Sequence, residues 1–163
     1  MAKKKIPTTK ETTPPKKDEL RVDEQLMEAG EYEVTPEHTF TIDVYLKQKG
    51  SRWIVMEKGG RGVIHEHVVM RMWTYDEMVD LKKRATTYDQ LKRFHMVDHD
   101  ALNRMKLQKF LVSWTLDKKN PNMKLHHQNG VLTDECWTAF AKLQTNISTH
   151  IIDEMNSIYE YNG

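Results

Sequence analysis

Apolar and polar residues alternate along residues 39–46, which is the pattern of a strand with one face in a core and the other in solvent. The apolar side of this alternation consists of Phe40, Ile42, Val44 and Leu46. The opposite side consists of Thr41, Asp43 and Tyr45. We therefore predict a half-buried β-strand that begins near Thr39.

Two further apolar runs follow this strand, RWIVMEK at residues 52–58 and VIHEHVVMRMW at residues 63–73. The connections between the three runs contain Gly50 and the sequence Gly59-Gly60-Arg61-Gly62, which suit tight turns. Short runs joined by glycine-containing turns predict an antiparallel β meander. A three-stranded sheet needs other elements to cover its apolar face, so helices are expected to follow.

The pattern then becomes helical. Thr74 and Glu77 have the spacing of a capping box and predict a helix that ends near Ala85. Residues 86–97 are compatible either with a helix over residues 88–94 or with an ordered loop. Asp98 or Asp100 then caps a helix that runs to about Trp114. The apolar residues of that helix cover well over half of its circumference, which predicts a central position in the domain.

The last third of the chain begins with a polar connection over residues 117–130. Thr133 is predicted to cap a helix that ends near Leu143, and a final helix covers residues 146–159. The final helix carries an apolar stripe at helical spacing: Ile147, Ile151, Met155 and Ile158. This stripe is our candidate partner-binding surface. The competing interpretation is that it belongs to the core, because a small domain needs every apolar face that it has.

These elements predict an α+β fold, in which a short antiparallel β meander at residues 38–73 precedes a small helical bundle at residues 74–163 of the same single domain. Residues 1–37 form a separate N-terminal arm. Residues 1–21 carry seven Lys or Arg and three acidic residues, whereas residues 22–37 carry six acidic residues and no Lys or Arg. Blocks of opposite charge with so little apolar content predict a disordered or extended arm.

Cys136 is the single cysteine, so an intramolecular disulfide is excluded. No apolar run approaches 18 residues, and no apolar segment follows the basic N-terminus. The sequence therefore predicts a cytoplasmic protein that neither spans a membrane nor carries a secretory signal.

Candidate chemistry is sparse. No combination of nucleophile, base and oxyanion donor is recognisable, so we expect a non-enzymatic protein without a cofactor. His65 and His67 alternate on a predicted strand and therefore face the same side, which is a spacing that metal sites use. Asp98-His99-Asp100 and His126-His127 could supply further ligands only if the fold brings them close. Because two histidines alone lack a third and a fourth ligand, we favour an ordinary polar sheet face and predict no metal site.

The best basic surface combines two short clusters, and its candidate residues are Lys82, Lys83, Arg84, Lys92 and Arg93. With Tyr88 and Phe94 close to them in the chain, these residues have the composition of a surface for nucleic acid. The net charge of +1 argues against a dedicated nucleic-acid-binding protein, which normally has a strong positive excess. A solvated helical face is the favoured interpretation.

Three segments of the chain resemble the tailed-bacteriophage tail assembly chaperones. They are VVMRMWTYDEMVDLKK at residues 68–83, the segment at residues 98–116 that contains KFLVSWTL, and LQTNISTHIIDEMN at residues 143–156. The similarity covers about residues 62–158 and consists of an order of elements: an extended run, a capped helix, a Trp-containing phrase, a polar loop and a final helix with spaced isoleucines. The N-terminal arm lies outside it.

The resemblance implies a protein that binds the tape measure protein or unassembled tail tube subunits and prevents their premature assembly in the host cytoplasm. Ten methionines agree with an adaptable apolar surface, although core filling explains them equally. One alternative is a structural or connector component that remains in the virion and threads its arm onto a neighbour. A second is a small regulatory protein associated with nucleic acid. The oligomeric state stays open.

Overall fold

The structure is a computed structural model that describes residues 32–35 and 37–158. The predicted arm at residues 1–37 lies almost wholly outside the described residues, and so does the end of the predicted final helix. The chain divides between Thr35 and Pro36 into two units. Within the described part, no helix combines the length and apolar character needed to cross a membrane.

The second unit contains both strands and helices, which confirms the predicted α+β class. In chain order the elements are β1 (Thr39–Lys49), β2 (Arg52–Met56), β3 (Val63–Arg71), α1 (Tyr75–Arg84), β4 (Thr86–Asp89), β5 (Phe94–Val97), α2 (His99–Phe110), β6 (Leu111–Trp114), β7 (His127–Gln128), β8 (Val131–Leu132), α3 (Asp134–Ala141) and α4 (Thr145–Ser157). Two 3-10 turns lie between β6 and β7, at Leu116–Lys118 and Pro121–Met123.

The main sheet has four antiparallel strands in the order β2-β1-β3-β6. The three predicted strands are present, but their order is not that of a meander, because β1 lies between β2 and β3 and pairs with both. β1 is eleven residues long, and its residues 45–47 are paired along both edges. The fourth strand comes from the segment that was predicted to be wholly helical.

Because β1 is central, the chain must cross it on the way from β2 to β3. The crossing segment at residues 57–62 passes over the side chain of Tyr45, and a Cβ atom at Gly59 would lie 3.5 Å from that ring. Gly62 adopts a φ of +74°, which glycine reaches without a steric penalty. Gly62 therefore suits the tight end of the crossing, whereas a Cβ atom at Gly59 would make only an ordinary van der Waals contact with Tyr45.

The alternation along β1 places its apolar side in the core, as predicted. Ile42, Val44 and Leu46 are buried, whereas Thr41 and Asp43 are exposed on the opposite face. The helices pack on the apolar face and supply most of the remaining core side chains. The largest fully buried ones are Phe110, Phe140, Met70, Leu107, Met123, Leu132, Ile151 and Met155.

Helix α2 begins at the predicted place, because Asp98 accepts a hydrogen bond from the amide of Ala101 at 3.1 Å. It ends at Phe110 rather than near Trp114. Leu111 has an extended backbone (φ −67°, ψ 126°), and β6 continues from it along β3. The register of β6 on β3 is irregular, and Leu111 and Trp114 are buried on either side of the irregularity. An apolar segment whose composition fits a helix therefore forms an edge strand.

Side chains from outside the sheet bind several backbone groups along its edges. At β2, the Trp53 amide donates to Gln144 Oε1 at 3.1 Å, and Asn146 Nδ2 donates to the Trp53 carbonyl at 2.9 Å. At β6, His127 Nε2 lies 3.2 Å from the Leu111 carbonyl oxygen. These contacts attach α4 to β2 and the β7–β8 hairpin to β6, the two edge strands of the sheet.

Helix α1 has the complete capping box that its sequence predicts. The Thr74 hydroxyl accepts a hydrogen bond from the Glu77 amide at 3.1 Å, and the Thr74 amide donates to Glu77 Oε1 at 3.1 Å. Glu77 also receives two hydrogen bonds from the Arg71 guanidinium, at 2.8 and 3.2 Å. These hydrogen bonds from Arg71 are the main reason that the pKa of Glu77 is lowered.

A lowered pKa in the folded state means that the Glu77 charge stabilises the fold above the ordinary glutamate pKa of 4.5. That contribution is lost as the pH falls through the lowered folded-state value. Replacing Glu77 by glutamine keeps a capping-box residue but removes the charge. We expect the variant to be less stable by about 0.5–1 kcal/mol near neutral pH, a small value because solvent screens the ion pair.

Urea unfolding of both proteins as a function of pH measures this contribution. The two midpoints should converge as the pH falls below 4.5 and then through the lowered folded-state pKa, because the carboxylate becomes protonated first in the unfolded and then in the folded protein. A stability difference that stayed constant down to strongly acidic pH would contradict the role given to the charge.

A second ion pair joins α2 to α3. Asp134 accepts hydrogen bonds at 2.9 Å from both Gln108 Nε2 and Arg104 Nη2. The hydrogen bond from Gln108, followed by the one from Arg104, lowers the pKa of Asp134. Asp134 is the first residue of α3, so the same carboxylate complements the positive end of that helix. Thr133 precedes it as predicted, but its hydroxyl makes no capping hydrogen bond.

Candidate functional site

The apolar stripe of the final helix is part of the core, so it is wrong as a free partner-binding surface. Ile147, Ile151 and Met155 are buried, and Ile158 packs half-buried against the same core. Helix α4 places this side against β1 and β2. The stripe covers the apolar face of the sheet. This is the physical reason that it belongs to the core and is not a free binding surface.

The predicted basic residues are all exposed, but they lie on two different elements. Lys82, Lys83 and Arg84 occupy the last turn of α1, where positive charge complements the helix dipole, and Arg84 pairs with Asp80 at 3.1 Å. Lys92 and Arg93 lie at the tip of the next hairpin. The predicted surface therefore consists of one basic cluster before the hairpin and another at its tip.

Residues 86–97 form this hairpin, in place of the predicted helix or loop. Strands β4 and β5 pair from Thr86 with Val97 to Asp89 with Phe94. At the tip, Asp89 Oδ1 accepts hydrogen bonds from the amides of Leu91 and Lys92, at 2.9 and 3.1 Å. Arg93 adopts a φ of +57° and donates its amide to the Asp89 carbonyl at 2.7 Å. The turn is therefore well connected although it protrudes.

The hairpin exposes an unusual amount of apolar surface. Four of its residues are among the exposed large hydrophobic side chains of the described chain: Tyr88, Leu91, Phe94 and Met96. Leu91, at the tip, is 96% exposed. The pairing puts Tyr88 and His95 on one face of the hairpin and Phe94 and Met96 on the other. A two-stranded ribbon with apolar groups on both faces is typical of a surface that binds another molecule.

The sequence contained a signal for this hairpin. TTYD and FHMV are short β-prone runs, and the first of them ends in Asp89, whose side chain suits the start of a turn. The intervening residues, QLKR, lack glycine and favour a helix, which is why the helical alternative remained open. The left-handed conformation that glycine would signal is adopted here by Arg93.

Polar side chains converge on the open face of the sheet, opposite the helices. His65 and His67 lie on β3, and Asp43 lies on β1 directly opposite His67. His65 Nε2 is 2.8 Å from Asp43 Oδ1, and His67 Nδ1 is 3.5 Å from the same oxygen. The shared side of the two histidines was predicted, whereas Asp43 was missed because the strand register cannot be read from the sequence.

On the helical side, a cleft of about 310 Å³ borders the core, and Glu66 is its buried acidic group. The Thr115 hydroxyl donates to Glu66 Oε2 at 2.8 Å and accepts a hydrogen bond from the His67 amide at 2.8 Å. At the rim, the Lys119 ammonium lies 5.4 Å from the centre of the Trp53 ring. Since its hydrogen bond with the Thr115 hydroxyl ties β3 to Thr115, Glu66 has a structural role in this cleft.

A larger open cleft, of about 680 Å³, lies between α1, α2 and the C-terminal end of α4. Trp73 and the strongly exposed Tyr75 form part of its wall. Asn156 accepts a hydrogen bond from Lys106 Nζ at 2.8 Å and donates to the side chain of Asn103 at 3.0 Å. The cleft thus combines an aromatic wall with polar groups that are already hydrogen-bonded to one another.

Comparisons of this chain with protein-family models, with curated proteins and with solved structures give no match. Two arrangements of described side chains are exposed to solvent, namely the β4–β5 hairpin and the polar group on the open face of the sheet.

Proposed function

We propose that the chain is a non-enzymatic protein-binding domain of the tail assembly chaperone type, which captures the tape measure protein or unassembled tail tube subunits. The observation that carries the proposal is the protruding β4–β5 hairpin with its exposed apolar side chains. The resemblance in residues 62–158 supplies the class of partner. The proposed contact surface is the β4–β5 hairpin, because the apolar stripe of the final helix lies in the core.

The geometry of the hairpin suits capture of an apolar segment. Its base is closed by the Asp98 amide, which donates to the Ala85 carbonyl at 2.8 Å, and Val97 packs against the core. Beyond that base, exposed apolar side chains lie on both faces and at the tip of the hairpin. Burying exposed apolar side chains against a partner contributes roughly 25 cal/mol for each Å² removed from water. An anchored base and an apolar outer part together give the hairpin the character of a docking element.

The charges around the hairpin indicate the chemistry of the segment that it binds. Lys92 and Arg93 directly follow Leu91 at the tip, and the basic last turn of α1 precedes the base. Acidic residues on a partner would be attracted from both directions, which favours fast and oriented association. We therefore propose that the captured segment is apolar and flanked by acidic residues.

Co-expression with the tape measure and tail tube proteins of the same phage tests this function. We expect the unmodified chain to increase the soluble yield of one of them and to co-purify with it. Leu91→Glu and Phe94→Ser should each weaken the complex by about 1–2 kcal/mol, or roughly five- to thirty-fold in Kd, as expected for exposed apolar anchors. Titration calorimetry on the purified complex components measures the change.

Val131→Glu provides the matched control, because Val131 is an exposed apolar residue of a different hairpin. It should leave both folding and the partner Kd unchanged, since surface substitutions usually shift stability by less than about 0.5 kcal/mol. If the control weakened capture as much as Leu91→Glu, the hairpin would not be the contact. If neither phage protein gained solubility from the unmodified chain, the chaperone proposal itself would be wrong.

A further inference from the structure

We propose that Asp43, His65 and His67 form a binding site for a divalent transition-metal ion, with Zn²⁺ as the representative ion. Their ligand atoms all lie within 4.8 Å of one another. Both imidazoles approach the same carboxylate oxygen, Asp43 Oδ1, at 2.8 and 3.5 Å. The inference is independent of the proposed partner, because it rests only on this face of the sheet.

The distances are close to those of a coordination sphere. Zn²⁺ binds imidazole nitrogen and carboxylate oxygen at about 2.0–2.2 Å, so two ligands of a tetrahedral site lie about 3.3–3.5 Å apart. The His67–Asp43 separation of 3.5 Å already agrees with this value, and the His65–Asp43 separation of 2.8 Å must open slightly. All three side chains are between 40% and 48% exposed, which leaves them free to make such adjustments.

The backbone holds the three ligands firmly even though their side chains are partly free. Asp43 and His67 are direct partners in the middle of the β1–β3 ladder, and His65 pairs with Tyr45 in the same ladder. Thr115 binds His67 from the other edge, since its amide donates to the His67 carbonyl at 2.9 Å. A site on paired central strands changes little in backbone geometry when an ion binds.

Neighbouring groups also restrict the ligand side chains. The Tyr45 ring stacks on His65, with 4.4 Å between the ring centroids, and the His65 and His67 ring centroids are 4.0 Å apart. On the backbone of Asp43, the carbonyl oxygen lies 3.1 Å from His150 Nε2. The ring contacts limit the rotamers of His65 and His67 that must be ordered on binding, and the contact from His150 supports the backbone that carries Asp43.

The donor set selects the class of ion. Two imidazole nitrogens and one carboxylate oxygen suit Zn²⁺ and its first-row neighbours, whereas Mg²⁺ and Ca²⁺ prefer oxygen ligands alone. Three protein ligands leave at least one coordination position for water or for a group from another molecule. The exposure of the cluster on the open sheet face agrees with such a position.

Metal titration of the purified, metal-free full-length chain tests the site. We expect saturable binding of Zn²⁺ by calorimetry at one ion per chain, and a visible absorption spectrum of low-symmetry Co²⁺ when Co²⁺ is used as the probe. His65→Ala, His67→Ala and Asp43→Asn should each raise the Zn²⁺ Kd at least about tenfold, because outer-shell changes alone commonly cost that much.

His95→Ala is the matched control, since His95 is an exposed histidine on the β4–β5 hairpin, outside the cluster. Its Zn²⁺ Kd should equal that of the unmodified chain. Melting curves without metal check that the cluster variants are folded, so that a weaker Kd reports the loss of a ligand. Weak, unsaturable binding by the unmodified chain, or equal losses in His95→Ala and His67→Ala, would overturn the proposal.

Discussion

Replacing Trp114 by alanine is expected to lower the free energy of unfolding by about 3–5 kcal/mol, the cost of removing a large buried aromatic side chain. Trp114 is only 6% exposed, and its ring lies nearly parallel to that of Phe140, with 6.2 Å between the centroids. Its indole nitrogen donates to the Met123 carbonyl at 2.7 Å. The substitution therefore leaves both a cavity and a carbonyl without its indole donor.

Urea unfolding of the variant measures this loss, and two further variants separate its components. Trp114→Phe keeps most of the ring but removes the hydrogen bond, so it should recover all but about 1–2 kcal/mol of the loss. Val112→Ala, at an exposed position of the same strand, should cost less than about 0.5 kcal/mol. An unchanged unfolding midpoint for Trp114→Ala would mean that the ring is not packed in solution.

Ile151→Ala is expected to destabilise the domain by about 2–5 kcal/mol, as for other fully buried aliphatic residues. Ile151 is fully buried on the side of α4 that covers the sheet. The same substitution also distinguishes the two interpretations of the apolar stripe. A core residue changes stability first, and any loss of partner binding then follows from unfolding.

Thr149→Ala on the exposed side of α4 is the control for this prediction, and it should leave stability within about 0.5 kcal/mol. Chemical unfolding and partner binding should be measured on the same preparations, at a temperature where the variant remains folded. A stable Ile151→Ala protein that had lost partner binding would restore the stripe as a contact surface and contradict its assignment to the core.

Elements whose apolar residues recur with a strong periodicity were predictable from the sequence. The alternation along β1 gave its buried face correctly, and Thr74 with Glu77 gave the first turn of α1. These features depend on residues that are close in the chain, so local spacing is sufficient. The stripe of α4 was also located correctly, but its role was not, because a helix stripe has the same pattern whether it faces a sheet or a partner.

Features that depend on distant pairing were not predictable. The segment at residues 111–114 fits an apolar helix by composition, and only pairing with β3 makes it a strand. The strand order depends on which strands pair with the two edges of β1, and no local sequence pattern indicates that pairing. The approach of Asp43 to His67 follows from the β1–β3 register and is invisible in a sequence in which the two residues are far apart.

The side chains bound to the two edge strands affect how another chain can add to the sheet. A strand edge normally offers free amides and carbonyls that template a further strand, and this is a route to both peptide addition and fibril growth. At Trp53 both of these groups are already bound by Gln144 and Asn146, and at Leu111 the carbonyl faces His127. An incoming strand would have to displace these amides at Trp53 and this imidazole at Leu111, so addition of a strand at these two positions is disfavoured.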